Sequence, residues 1–321
     1  MRGRDALVVV TGASGRLGTE ICVAFRKAGY RVAGVIRGAS GATDLDETLR
    51  IECFSKVPAP SRPPAAVIHA AAESRDPSRM VEVNVRGCEQ MLEWAATYGS
   101  SRFIHISSIG VYGPHRRGTI TPHTPYAPAD EYERTKAAAE AEVRKAAAAG
   151  RLGTTVIQPG MMFGAGPRWE LPLLGFIRSV VNQRFIHVGS DEARFNYVDV
   201  RDVAAACVAA LSPEAAGETF IVNDPLSVRE AVETIASAAH VPAPRRRMPY
   251  AVAWLLAAGT QAAAAAVRRR GPLDLTRLQH FTTRTIYDGS PIRSRLGFVY
   301  PVGTRRGLAD LVHHYRARSL L

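Results

Sequence analysis

The stretch Ala6-Leu-Val-Val-Val-Thr-Gly-Ala-Ser-Gly-Arg-Leu-Gly18 decides the fold. Ala6 to Val10 is a short apolar, β-branched run, the pattern of a strand buried on both faces of a parallel sheet. From Arg16 to Ala28 the apolar residues Leu17, Ile21, Ala24, Phe25 and Ala28 fall at helical spacing, and Gly29 supplies the stop. Glycines between a strand and a helix permit a tight turn, let the backbone approach a pyrophosphate and let the helix pack on the strand. The helix N-terminus meanwhile offers free N–H groups to the anion. Strand, loop and helix in that order predict a dinucleotide site made by Gly12, Ser14, Gly15, Arg16, Leu17 and Gly18.

Outward from this loop the alternation continues. Arg31 to Ile36, Ala65 to Ala71, Arg102 to Ser107 and Thr154 to Ile157 read as strands, with helical stretches around 78–98, 199–211 and 227–239. Strands alternating with helices imply right-handed crossovers and an α/β, doubly wound parallel sheet, the Rossmann arrangement. Lys56 to Pro64, with four prolines, predicts an exposed connection. The expected organisation is a dinucleotide-binding domain over 1–158 and a smaller, mainly substrate-binding domain over 159–321, interleaved with late sheet elements at about 185–212. There is no internal repeat and no long linker.

The chain has 321 residues, 46% apolar and 22% charged, which excludes a disordered chain or a disulfide-stapled miniprotein. Its formal charge of +12 favours anionic partners, yet the only lysines are Lys27, Lys56, Lys136 and Lys145. An Arg- and Ala-rich pattern of this kind suggests coding bias rather than a binding surface. The arginines are not interleaved with stacking aromatics, so no nucleic-acid partner is expected. Cys22, Cys53, Cys88 and Cys207 are far apart, show no metal-ligand spacing and read as reduced core thiols of a cytoplasmic protein. No metal is expected. The run before the glycine loop has no cleavage site of the signal-peptide kind, so the mature chain is expected to start near Met1.

An NAD-preferring site places an acid about 20 residues beyond the loop, at the end of the second strand. Here that position is Ile36, followed by Arg37. Arg37, with Arg16, suits a 2′-phosphate, so NADP(H) is expected ahead of NAD(H). Tyr132 and Lys136 lie four apart at the start of an Ala-rich helix, hence on one face. A cation there, with an oxidised nicotinamide ring, is expected to bring the phenol toward working pH. Upstream, Ser107 and Ser108 end a strand at the carboxyl edge of the sheet, where doubly wound folds bind ligands.

At these residues the chain resembles the extended short-chain dehydrogenase/reductases, the NAD-dependent epimerase/dehydratase family. The resemblance rests on Thr11 to Gly18, His69-Ala-Ala-Ala72, Asn84-Val-Arg-Gly87, Ser107 to Gly113, Tyr132 with Lys136, Pro159-Gly160 followed by Phe163-Gly164, Asp202-Val-Ala204 and a C-terminal Leu296-Gly-Phe298. It implies that Ser108 hydrogen-bonds the substrate oxygen, Tyr132 is the acid/base, and Lys136 holds the nicotinamide ribose and tunes the tyrosine. Ser107 is implied to be the lesser hydroxyl, and Asn84 a helix asparagine supporting a water or backbone contact. Ala70 and Ala71 are expected along the cofactor, and Pro159, Gly160 and Met162 near the nicotinamide amide. Relatives also imply a homodimer through the helix of Tyr132 and the helix at 79–98.

Departures from the pattern narrow the reaction. Nucleotide-sugar 4,6-dehydratases carry an Asp-Glu pair where this chain has Ile109 and Gly110. Met161 and Met162 stand where an asparagine often holds a sugar nucleotide, and soft side chains suit a less polar substrate. Gln158 replaces an arginine usual in that stretch, which speaks against a tightly bound diphosphate. Pro249 to Leu256, Pro272 to Arg277 and Tyr287-Asp288 resemble the 3β-hydroxysteroid dehydrogenase-like branch. The reading is an NADP(H)-preferring oxidoreductase that interconverts a ketone and a secondary alcohol on a moderately hydrophobic small molecule. The alternative is a nucleotide-sugar epimerase or 4-ketoreductase with the same triad, and more remotely a non-catalytic dinucleotide sensor. Residues 248–267, between two Arg triplets, are expected to roof the pocket or touch a membrane surface, not to span it.

Overall fold

The computed structural model describes residues 5–38, 45–113, 118–165, 173–190, 192–266, 278 and 281–321. Seven parallel strands form the central sheet: β1 (Leu7–Thr11), β2 (Arg31–Arg37), β3 (Glu47–Ile51), β4 (Ala66–His69), β5 (Arg102–Ile106), β6 (Gly153–Pro159) and β7 (Thr219–Val222). Their order is β7-β6-β5-β4-β1-β2-β3. The order reverses beside β1, which makes the carboxyl end of β1 the topological switch point at which such folds bind ligands. In the register of that pair, Thr11 lies opposite His69.

Val8, Val9 and Val10 are completely buried, as a strand covered on both faces requires. One face is covered by α1 (Arg16–Lys27) and α5 (Val200–Ala209), whose apolar stripes meet through Ile21, Phe25, Val203 and Cys207. The other is covered by α2 (Gly87–Thr97) and α3 (Glu131–Ala148), through Cys88, Met91, Ala139 and Val143. A short helix Pro77–Met80 and a π-helical turn Val81–Arg86 lead into α2. Beyond the sheet, α4 (Leu174–Val181), α6 (Val228–Ala238) and a C-terminal α9 (Thr304–Ala317) enclose a second apolar cluster around Phe176, Phe195, Val232 and Tyr315. Asp202 ties the C-terminal segment to α5 by accepting from the backbone N–H of Val302 and Gly303.

Three features went unread in the sequence. Strand β3 is an edge strand buried on alternate residues only, too short and polar for its period to stand out. The last sheet strand is β7, at Thr219–Val222. Short strands at Met161–Phe163 and Tyr197–Asp199 pair in parallel just past the carboxyl edge of the sheet. The Pro-rich connection of 56–64 is largely exposed but pinned by the Trp94 indole, which donates to the carbonyls of Val57 and Pro58. In the C-terminal third, α7 runs Tyr250–Ala266, and α8 (Ser290–Leu296) ends on left-handed Gly297. Among the described residues no helix is long and apolar enough to cross a membrane. The Arg268–Arg270 triplet and Pro272 to Arg277 lie outside the described residues.

Candidate active site

The loop after β1 is built to approach something flat and anionic. Gly12 has φ +66° and presses against the chain leaving β4: a Cβ there would stand 2.9 Å from the Ala71 Cα. A Cβ on Gly18 would stand 2.1 Å from the Gly12 carbonyl oxygen, so only glycine lets α1 start this close to β1. Gly15 is the N-cap of α1 and offers no side-chain cap, and the first turn has no acid. The helix therefore presents its N-terminal N–H groups and the positive end of its dipole to the loop. Thr11 locks the two loops together, its hydroxyl bonded to His69 Nδ1 at 3.0 Å and accepting the Ala71 N–H at 3.2 Å. Ala70 and Ala71 thereby meet Gly12, against which Gly15 and Gly18 also pack, while Leu17 turns into the core. This cradle fits a dinucleotide pyrophosphate.

At the far end of β2, Ile36 turns into the core while Arg37 is exposed beside left-handed Gly38. On the neighbouring strand, Arg50 lies opposite Ile36 and donates to the Gly38 carbonyl at 2.6 Å. Two guanidinium groups thus flank the position where an acid would read ribose hydroxyls. Arg50 was missed because β3 itself was not read.

Ser108 follows β5 and caps the turn Ile109–Tyr112, its hydroxyl accepting the Gly110 N–H at 3.0 Å. That turn packs against α3, whose own N-cap is Asp130, its carboxylate accepting the Glu133 N–H. Tyr132 is in the first turn and half-buried; Lys136 is one turn on and 2% exposed. Lys136 Nζ donates to the Ile106 carbonyl at 2.6 Å. Burial brings its ammonium down to about 8, against a smaller upward pull from Cys88 and Glu140. Burial, with Asp130 and Glu133 adding to it, pushes the Tyr132 phenol up to about 12, the direction against which Lys136 and an oxidised nicotinamide together were expected to act. The two acids belong to the cap that starts the helix, so the same turn that positions Tyr132 keeps it protonated.

Behind this face lies a support of which the resemblance implied one part, the backbone contact of Asn84. Asn84, in the π-helical turn, accepts the Glu73 N–H and donates to both the Glu73 carbonyl and the Thr135 hydroxyl, so it clasps the chain after β4 to the residue preceding Lys136. Glu140 is wholly buried and accepts from Ser107, Tyr126, Gln158 and Arg144. Ser107 therefore faces this network, away from the side on which Ser108 caps its turn. Gln158 also accepts from Tyr112 at 2.7 Å. Fully buried, it completes the network and does not reach the ligand crevice, so its identity bears on the partners of Glu140 and not on a diphosphate. The one legible sign of this network was that Glu140 falls four residues after Lys136, on the same helix face.

Below Lys136, His69, Cys88 and His105 come together with donor atoms within 4.8 Å of one another, all buried. They are far apart in sequence and meet because β4 and β5 pair His69 with His105. Burial and the adjacent Lys136 charge hold His69 down at about 3 and His105 well below its ordinary value. Both imidazoles are neutral, and a cation placed among them would face the Lys136 ammonium.

On the opposite wall, Pro159 and Gly160 are buried at the end of β6, and a Cβ on Gly160 would collide with the Asn223 side chain at 2.5 Å. Met162 packs against the sheet core while Met161 is 36% exposed. Glu133 was unanticipated. Its carboxyl accepts the Ala129 N–H through Oε2, while Oε1 stands against Gly110, next to Ser108. Burial raises its pKa.

These parts match a known family model. Residues 8–223 fit that of the NAD dependent epimerase/dehydratase family. The chain belongs to this family. It is an NAD(P)-dependent enzyme of the extended short-chain dehydrogenase/reductase type, an oxidoreductase or epimerase. It is similar to sterol demethylase protein B of Methylococcus capsulatus, 26% identical over 98% of this chain and 99% of the relative. It is also similar to 2-alkyl-3-oxoalkanoate reductase of Stenotrophomonas maltophilia, 25% identical over 95% and 98% of the two chains. The crystal structure of UDP-glucose 4-epimerase from Thermotoga maritima with UDP-glucose shares the fold, with a TM-score of 0.70 and 20% identity over 98% of this chain and 99% of that one.

Proposed function

We propose that the protein is an NADP(H)-preferring oxidoreductase that interconverts a ketone and a secondary alcohol on a moderately hydrophobic small molecule, using Ser108, Tyr132 and Lys136. The observation that carries this reading is geometric: at the carboxyl edge of the sheet Ser108 caps a turn that packs against α3, whose first two turns carry Tyr132 and the buried Lys136. A neutral phenol is a proton donor, the partner that a carbonyl oxygen needs as it becomes an alcohol. The bound cofactor supplies the hydride. Ser108, whose oxygen already accepts from Gly110, keeps its O–H for the substrate oxygen. Lys136 would hold the nicotinamide ribose, and Pro159, Gly160 and Met162 would flank the amide. Met161 would face the substrate.

The 2′-phosphate preference is supported by Arg37 and Arg50 in place of an acid, with Arg16 in the loop. The substrate class is supported by the full-length likeness to proteins named for sterol and oxoalkanoate chemistry. Glu133 beside Ser108 favours an uncharged ketone, since a substrate carboxylate there would meet a like group in a partly desolvated site. A cytoplasmic homodimer completes the reading. The second reading, a nucleotide-sugar epimerase with the same three residues, has the family and the fold of the Thermotoga enzyme behind it.

The test follows NADPH absorbance with three probes: a 3-ketosteroid, a 2-alkyl-3-oxoalkanoate and UDP-glucose. The expected result is oxidation of NADPH by the uncharged ketone and slower oxidation by the carboxylate. Isomerisation of UDP-glucose in a parallel assay supplied with NAD+ or NADP+, with no net change in the cofactor, would replace this reading with the epimerase.

A further inference from the structure

Helix α7 is inside out. A helix resting on a globular protein buries its large apolar residues and exposes its small or polar ones. Here the buried side is made of Ala253 and Ala257, packed on Leu278, with Val188 and Met248 alongside. The exposed side carries Tyr250, Val252, Trp254, Leu255 and Leu256, from 44% to 65% exposed. A contiguous apolar surface of this kind marks an interaction face, not the scattered exposure that any surface shows.

Charge selects the partner. Arg245, Arg246 and Arg247 are exposed immediately before the helix, and in the sequence a second triplet, Arg268–Arg270, follows its end. Two copies of this chain laid side by side along α7 in parallel would set Arg245 to Arg247 against their own counterparts. A surface that is apolar beside anionic groups suits the exposed apolar side and the exposed triplet at once. Beside the first triplet, His187, Arg229, Arg245 and Arg247 line a cavity of about 330 Å³, in which Glu233 is the one acid. That lining suits a phosphate group. At 17 residues, hence about 26 Å, the helix is short for a crossing.

We propose that α7 docks the enzyme on a bilayer containing anionic lipid, with Trp254, Leu255 and Leu256 in the interface and Arg245 to Arg247 with their cavity on lipid phosphates. The docking goes beyond the redox reading and does not depend on it, although it places an enzyme for hydrophobic substrates where such molecules partition.

The experiment is co-sedimentation of the full chain with vesicles of phosphatidylcholine alone or mixed with phosphatidylglycerol, beside sedimentation velocity without lipid. Two variants accompany it: Trp254→Ser/Leu255→Ser/Leu256→Ser, all at exposed positions, and Arg245→Glu/Arg247→Glu. The expected result is binding to the anionic vesicles only, weakened by salt and reduced at least about tenfold in either variant, with melting temperature and NADPH binding unchanged. No binding to anionic vesicles, or equal binding by the variants, overturns the proposal. A dimer in lipid-free buffer that the triple Ser variant dissociates would also overturn it, by showing that a second copy covers the face. Because NADPH binding is read separately, failure of the docking leaves the redox reading standing.

Discussion

In the proposed reaction, Tyr132 and Glu133 would let a single turn set both reactivity and selectivity. Asp130 caps α3, and that cap places one carboxyl beside the phenol and another beside Ser108. The sequence showed the Tyr132 and Lys136 spacing plainly, since four residues on a helix share a face. It did not show that Lys136 would be turned toward the Ile106 carbonyl, because that depends on where β5 ends relative to α3. At the adenosine end the residue-level prediction is sharper. Arg37→Asp should invert cofactor preference, weakening NADPH by on the order of tenfold or more and strengthening NADH, as an acid replaces a charge-assisted partner of the 2′-phosphate. Fluorescence titration with both cofactors checks this, and an unchanged ratio would remove Arg37 from the site.

Among the elements, the β1-loop-α1 unit was legible almost to the residue, because each glycine has a distinct steric duty and the strand is apolar throughout. Gly12→Ala tests that duty. The new methyl would require a positive φ disfavoured for alanine by roughly 1–2 kcal/mol and would approach Ala71 to 2.9 Å. Melting temperature should fall and NADPH affinity should drop by more than tenfold, whereas alanine at exposed Gly99, where a Cβ meets nothing, should lower the melting temperature and leave cofactor affinity alone. Strand β3 and the polar network around Glu140 were not legible. The first is an edge element with little pattern; the second joins residues 107, 112, 126, 140, 144 and 158, which only the assembled sheet brings together.

For the whole molecule, burial of neutral histidines beside Lys136 makes stability depend on acid. His69 titrates at about 3 when folded and near 6.5 when unfolded, and His105 is likewise depressed, so the unfolded chain binds more protons below that value. The contribution of the two imidazoles is therefore fully present above about pH 6.5 and falls as pH drops toward 3, by up to about 1.4 kcal/mol per pH unit for each. Asp202, raised to about 6, offsets part of this, because it gains its proton more readily in the folded state. Urea unfolding at pH 7 and 5 should show the loss, and His105→Phe should flatten it; an identical slope in that variant would contradict the assignment. The reaction proposed for the whole molecule is net hydride transfer assisted by Tyr132. It is tested most directly by incubating the protein with stereospecifically deuterated NADPH and a small-molecule extract of its host, beside Tyr132→Phe, and reading metabolites by mass spectrometry. The account predicts deuterium in one hydrophobic alcohol with the unaltered protein and at least a hundredfold less with the variant. Deuterium found equally in both, or a metabolite isomerised with no label at all, would contradict it.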